Sequence, residues 1–210
     1  MEVENLRRVL MNNYSKVPVK DFKTGKTTVK KVSSIVKRSS SPPKFSSFLT
    51  KLADFLKCTV ILETGTSLGL NTLYLAASDA KKVITLEGNS EIAGLARENF
   101  KRLGSQKIHS KTGTVQENFS ELIKEYIPDL IFLDADHRSS VTEDCLRILR
   151  PFFKHIKAIV IHDIYWSQDM CSGWNRIKKD PELPLTLDIF QAGIIFPNIE
   201  MEKQHFVLKF

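Results

Sequence analysis

Residues 61–76 read ILETGTSLGLNTLYLA, and the order of residue types in this stretch decides the architecture. A short apolar run ending at Glu63 passes through Thr64-Gly65-Thr66-Ser67-Leu68-Gly69 into an amphipathic stretch. That order predicts a strand, a tight turn and the start of a helix. Gly65 can take backbone angles closed to other residues, and it lets a ligand approach the main chain. Gly69 permits close helix–strand packing, and the helix N-terminus offers unpaired N–H groups. The spacing is GxxxG rather than the GxGxxG of dinucleotide binders. A pyrophosphate needs the middle glycine that is missing here, and it is disfavoured beside the acidic Glu63. Taken alone, the stretch is more simply read as a structural turn of an α/β protein than as a cofactor site.

Further along the chain, the pattern repeats. Apolar runs at 59–63, 82–87, 107–112, 128–134 and 158–163 read as strands, with amphipathic helices near 69–78, 90–103, 116–125 and 139–150 between them. Strand–helix alternation argues a parallel sheet with helices on both faces, and right-handed crossovers bring the strand C-termini to one edge. Open α/β sheets bind ligands at that edge. Glu63, Glu87, Asp134 and Asp163 each close a strand, so four carboxylates are expected there. After a helix near 167–179, the runs 185–196 and 205–210 have no helix between them and suggest an antiparallel hairpin. Ahead of the alternation, 2–13 reads as a short helix with Leu6, Val9 and Leu10 on one face, and 16–31 reads as a loop. Ser39-Ser40-Ser41-Pro42-Pro43 blocks any helix, and 44–57 resumes helical spacing.

Glu87 stands 24 positions after Glu63 at the end of the second strand, placed to accept hydrogen bonds from ribose hydroxyls. S-adenosylmethionine (SAM) combines a ribose with an ammonium and a sulfonium and carries no phosphate, which suits an acidic GxxxG turn. The segments LETGTSLGLNTL, ITLEGNSE, TGTVQENF, FLDADH and VIHDIYW together resemble the class I SAM-dependent methyltransferases. The likeness is strongest to small O-methyltransferases of the catechol type and extends to macrocin-type sugar O-methyltransferases. It covers residues 61–163 strongly and most of the chain in topology. It implies a Rossmann-like methyltransferase fold: doubly wound, mostly parallel, seven-stranded, with a C-terminal antiparallel hairpin.

The resemblance also implies roles. Glu63, Gly65 and Ser67 would surround the methionine part of SAM, Thr66 and Gly69 of the same turn would also bind the cofactor, and Glu87 would hold the ribose. Val115 and Gln116 would flank the adenine, and Asp134 would sit below the sulfonium or bind a metal. Some relatives place an aromatic residue after the second glycine, where this chain has Leu70. Catechol-type relatives hold a divalent metal with an acid matching Asp134 and an Asp-Asn pair matching Asp163-Ile164. Ile164 cannot ligate, so Mg2+ would rest on Asp134 and Asp163, with Asp136 or His162 as replacements. His137 matches the catalytic lysine of catechol methylation and is the expected general base, with Asp136 orienting it or taking that role itself. Arg138 reads as the partner of a surface acid. Trp166 reads either as a substrate wall or as packing under the following helix.

Charge divides the chain unevenly. Residues 1–60 hold 13 Lys and Arg against 4 Asp and Glu, whereas the remainder holds 18 against 20. Residues 1–43 are therefore expected to be a basic extension and 44–210 the catalytic domain. The simplest reading of the basic stretch is a solvated, partly mobile extension, because its lysines lack interleaved aromatics and match no nucleic-acid module. No apolar run reaches the length of a membrane span, no secretory signal stands at the start, and Cys58, Cys145 and Cys171 form neither a disulfide framework nor a zinc set. A cytoplasmic enzyme is expected, its partners a small hydroxylated acceptor and, in a homodimer, a second copy. Neither nucleic acid nor membrane is expected. Two alternatives stand beside O-methylation of a small molecule: methylation of nucleic acid or protein through the basic segment, and SAM binding without catalysis. A dehydrogenase is a fourth reading.

Overall fold

In a computed structural model, residues 2–22 and 24–209 are described. In chain order they form α1 (Glu2–Met11), β1 (Lys16–Lys20), β2 (Thr27–Lys31), α2 (Val32–Ser39), α3 (Pro43–Phe55), β3 (Val60–Thr64), α4 (Leu70–Ala76), β4 (Lys82–Glu87) and α5 (Ser90–Arg102). There follow β5 (Ile108–Thr112), α6 (Val115–Tyr126), β6 (Leu130–Leu133), α7 (Ser139–Leu149), β7 (Ala158–His162), α8 (Gln168–Ile177), β8 (Leu185–Asp188), β9 (Ala192–Phe196) and β10 (Gln204–Val207). Two compact units result, one of residues 1–57 and 66–114, the other of 58–65 and 115–210. Neither boundary falls at residue 43.

The first unit shows what the basic segment does. Val3, Leu6 and Leu10 of α1 and Val32, Ile35 and Val36 of α2 are buried with Leu70, Leu73 and Tyr74 of α4 and Ile92, Ala96 and Phe100 of α5. Both helices follow the i, i+3, i+4 spacing that gives one apolar stripe. Each such buried side chain contributes about 1.5–3 kcal/mol before the entropy of ordering is counted. The face of α1 differs from the expected one: Val9 is exposed and Val3 takes its place. Arg7, also on the buried face, pairs with Glu4 at 3.0 Å and donates to the Ser41 carbonyl at 3.1 Å. The expected loop at 16–31 is an antiparallel ribbon, with Lys16 opposite Lys31 and Lys20 opposite Thr27. Alternation explains it. Val17 and Val19 turn onto the apolar cluster, while Lys16, Pro18 and Lys20 stay in water.

In the second unit β3, β6 and β7 run parallel, and β9 joins β7 antiparallel. The expected C-terminal hairpin is present at a different place. Residues 185–196 break into β8 and β9, which pair antiparallel with Leu187 opposite Ile194. The break comes at Phe190, whose φ is +69°. β10 then lies parallel to β8, so the pair expected between 185–196 and 205–210 is a parallel one; Phe210, the last residue of that run, lies outside the described residues. Among the described residues this split gives the main sheet eight strands, one more than expected. Asp129 fastens the entry to β3. Its carboxylate accepts from the Thr59 N–H at 2.5 Å, the Thr59 hydroxyl at 2.7 Å and the Val60 N–H at 2.8 Å.

Burial alone would raise the Asp129 carboxyl, but these three donors and the Lys157 ammonium outweigh it and hold it below its ordinary value of 3.8. A lowered folded value means that stability from this group is complete above the ordinary carboxylate range and is lost as pH falls through the lowered value. Asp129→Ala is expected to cost about 1–3 kcal/mol and to remove that part of the acid dependence. Urea unfolding of both proteins between neutral and acid pH reads both effects.

Candidate functional site

The glycine-bearing turn is built by two close approaches, each within one unit. In the second unit Gly65 has φ +88°, and a Cβ there would lie 2.4 Å from the carbonyl oxygen of Asp134. No side chain fits in that space. Beside it the Asp134 N–H donates to the Thr64 carbonyl at 3.1 Å and to its hydroxyl at 3.2 Å. In the first unit Gly69 has φ +81°, and its Cβ would collide with the Phe100 ring at 2.3 Å. Gly69 therefore serves helix–helix contact rather than the expected helix–strand packing. Leu70, the position of the absent aromatic, is buried in the same core.

Glu87 ends β4 and organises the first unit's part of the turn. Its carboxylate accepts from the Ser67 N–H at 2.8 Å and the Asn89 N–H at 2.9 Å. Ser67 is held at φ +49°, a region uncommon for residues other than glycine. Thr66 is fixed too: its N–H donates to the Leu86 carbonyl at 3.3 Å, and its hydroxyl lies 2.6 Å from that of Thr85. Burial pushes the Glu87 carboxyl up, and the backbone donors offset part of that rise. A carboxylate has about four lone-pair sites. The N–H groups of Ser67, Asn89 and Gly88 are directed at that of Glu87, which leaves acceptor capacity for a ribose hydroxyl.

The second unit gathers the remaining acids. The parallel register of β3, β6 and β7 sets Glu63 opposite Phe132 and Leu133 opposite Ile161, so Glu63, Asp134, His162 and Asp163 reach one edge. Glu63 is fully buried. His162 Nδ1 lies 2.8 Å from Asp134 Oδ1 and 3.5 Å from Asp163 Oδ2, and its Nε2 lies 3.2 Å from the Gln191 amide nitrogen. Burial alone would lower the imidazole. Asp134, through its charge and hydrogen bond, and Asp163, through its charge, outweigh burial and raise it. Ile164 points into the core at 0% exposure. Asp134, His162 and Asp163 each offer a ligand atom, all within 4.8 Å of one another.

Around this cluster stand the residues expected to do chemistry. His137 Nε2 lies 3.9 Å from Asp163 Oδ2, and the His137 ring sits 5.9 Å from that of Trp166. Asp136, at φ +50°, is clasped by the Arg138 guanidinium through two hydrogen bonds and accepts from the Gln116 amide at 3.3 Å. Arg138 is thus the partner of an acid, as expected. Val115 opens α6 with its side chain buried, whereas Gln116 is exposed. Trp166 is 69% exposed and does not pack under α8, unlike the buried Trp174. Sequence reasoning missed the β8–β9 turn. Gln191 reaches His162, and Phe190 lies 5.5 Å from Tyr165. Asp188, almost fully buried, accepts from the Tyr165 hydroxyl at 2.5 Å, the Trp174 indole at 3.1 Å and the Phe190 N–H at 2.9 Å.

The chain as a whole is similar to known proteins. A family model described as O-methyltransferase matches residues 15–178. A catechol O-methyltransferase of Niastella koreensis is 33% identical over 132 residues, 59% of this chain and 59% of its own length. One from Mycobacterium tuberculosis is 33% identical over 97 residues, 45% of this chain and 44% of its own. The chain thus spans between two fifths and three fifths of these relatives' length. Among solved structures, an O-methyltransferase from Bacillus cereus in complex with SAH matches with TM-score 0.60 at 23% identity, over 75% of this chain and 82% of that one. An SAH-bound methyltransferase from Podospora anserina matches with TM-score 0.65 at 17% identity, over 93% and 94%. At these identities the structures establish the fold, a Rossmann-like methyltransferase fold with a mostly parallel sheet.

A raised folded value means that the stability His162 contributes is complete below about pH 6.5 and is lost as pH rises through the raised value. In metal-free protein the His162 ring proton resonances are expected to titrate above pH 6.5 in an NMR pH series. Asp134→Asn should bring that midpoint down, because it removes the carboxylate that holds the proton.

Proposed function

Because the chain belongs to the O-methyltransferase family, we propose that it transfers a methyl group from SAM to a hydroxyl of a small molecule. The observation that carries this reading is the Glu87 carboxylate, anchored by two backbone N–H groups of the turn and its flank with acceptor capacity to spare. Glu87 would hold the ribose. Glu63, Gly65, Thr66, Ser67 and Gly69 would receive the methionine portion, with Val115 and Gln116 beside the adenine and Asp134 near the sulfonium. When bound, SAM supplies an electrophilic methyl group on a charged sulfur. Residues 44–210 would carry this machinery, and residues 1–43 would complete the core of the first unit. No helix among the described residues is long and apolar enough to cross a membrane, and the three free cysteines fit the cytoplasmic setting we propose.

The chain's own chemistry centres on His137. Its imidazole, partly exposed in the loop after β6, would accept the acceptor's hydroxyl proton at Nε2, with Asp163 stabilising the imidazolium formed. Asp136, clasped by Arg138 and Gln116, fixes the loop that presents His137. Trp166, exposed beside that ring, would form one wall for the acceptor. The donor set of Asp134, His162 and Asp163 fits a divalent cation: two carboxylate oxygens and a ring nitrogen, with His162 supplying the donor that Ile164 cannot. A cation bound there would lower the acceptor hydroxyl's pKa.

Calorimetry should show SAH binding to the protein, and failure to bind at millimolar concentration would sink the assignment. Glu87→Ala is expected to weaken SAH about tenfold or more through lost hydrogen bonds to a charged group. On an acceptor panel, His137→Ala should lower kcat about 100-fold with SAH affinity changed less than about threefold; an unaltered kcat excludes His137 as the base. Mg2+ or Mn2+ titrated into the SAH complex should bind with one site, and Asp163→Asn should abolish that binding. Unchanged activity in chelator would rule out a metal requirement.

A further inference from the structure

Gly88 lies between the proposed ribose acid and Asn89, which caps α5, and its missing side chain is replaced by one from far earlier in the chain. A Cβ on Gly88 would lie 2.9 Å from Cε2 and 3.1 Å from Cζ of Phe22. We propose that Phe22, at the tip of the β1–β2 ribbon, is a cofactor-binding residue whose ring forms the surface on which the adenosine portion of SAM stacks.

The ribbon is built to hold that ring in place. Val17 and Val19 anchor β1 on the apolar cluster. At the tip the Asp21 N–H donates to the Lys26 carbonyl at 2.8 Å, the Gly25 N–H to the Asp21 carbonyl at 2.8 Å, and the Thr24 N–H to the Asp21 carboxylate at 3.0 Å. Gly25 supplies the φ of +69° that lets this turn close. The Lys20 ammonium lies 5.6 Å from the centroid of the Phe22 ring. Single exposed apolar residues are ordinary on a protein surface, and Phe22 is 49% exposed. Its position is what sets it apart. A ribose whose hydroxyls bond Glu87 carries its base on the adjacent carbon, so the base comes within reach of whatever lines the residue next to Glu87. Here that lining is an aromatic ring, and a ring tolerates any base because every base presents a π-face. Leu70 cannot do this work from the turn, since it is buried in the core.

The inference rests on the reading of Glu87 as the ribose acid, and SAH calorimetry separates the two. Wild-type protein that does not bind SAH overturns both. With wild-type binding in hand, Phe22→Ala is expected to weaken SAH about tenfold, a modest loss for one stacked base, and Phe22→Tyr should stay within about threefold of wild type. In turnover, Phe22→Ala should raise the KM for SAM by the same factor while kcat changes less than about twofold. Gly88→Val approaches from the other side. It pushes the ring off its seat, leaves Phe22 itself intact, and should also weaken SAH about tenfold, which decides the matter if Phe22→Ala fails to fold. SAH affinity within twofold of wild type in the folded variants would overturn the proposal.

Discussion

The approach of Gly65 to the Asp134 carbonyl is the constraint from which the second unit's chemistry follows. With a Cβ excluded at 2.4 Å, the chain leaving β3 can lie directly against the chain leaving β6. Asp134 is then bonded to Thr64 through its own N–H, which fixes where its carboxylate starts. From that fixed point the side chain meets His162 at the end of the neighbouring parallel strand. A larger residue at position 65 would push β3 and β6 apart at their ends and disperse the group that reaches them. The glycine matters here less for its own freedom than for what its small size allows two strands to share.

Around His162, competing electrostatic effects decide the outcome. Removing an imidazole from water favours its neutral form, yet two carboxylates stand within 3.5 Å of Nδ1 and favour the charged one. The carboxylates prevail. A divalent cation held as proposed by Asp134, His162 and Asp163 would have to displace that proton from the same location. Ile164 takes no part in that competition, because the turn after β7 rotates it into the core and leaves Asp163, at φ +55°, facing out.

The strands with helices between them, apart from the polar β5, were legible because their apolar runs are short, unbroken and punctuated by acids or glycine. Glu87, Asp134 and Asp163 stood where the alternation put them. Other features left weaker marks. The β1–β2 ribbon alternates only Val17 and Val19 against lysines, and its five-residue strands carry proline and threonine that also suit a loop. The α2 stripe of Val32, Ile35 and Val36 spans little more than one turn. The division of 185–196 depends on Phe190, a residue type that gives no turn signal, adopting a positive φ. Gln191 therefore arrives beside His162 without any local motif, brought there by antiparallel register with β7. Contacts of this kind depend on which strands become neighbours, and no window of sequence contains that information.

Tyr165 has a further consequence. Its hydroxyl is bound to the buried Asp188, and that hydrogen bond, followed by burial and the carboxylate's charge, pushes the phenol up to about 12. The phenol remains protonated across the whole working range of an enzyme and cannot serve as a proton acceptor there. The aromatic surface formed by Tyr165 and Phe190 is accordingly indifferent to acidity, offering the same neutral face to whatever molecule settles against it. A change of behaviour with pH on this side of the protein therefore originates in groups other than these two rings, such as the raised imidazole of His162.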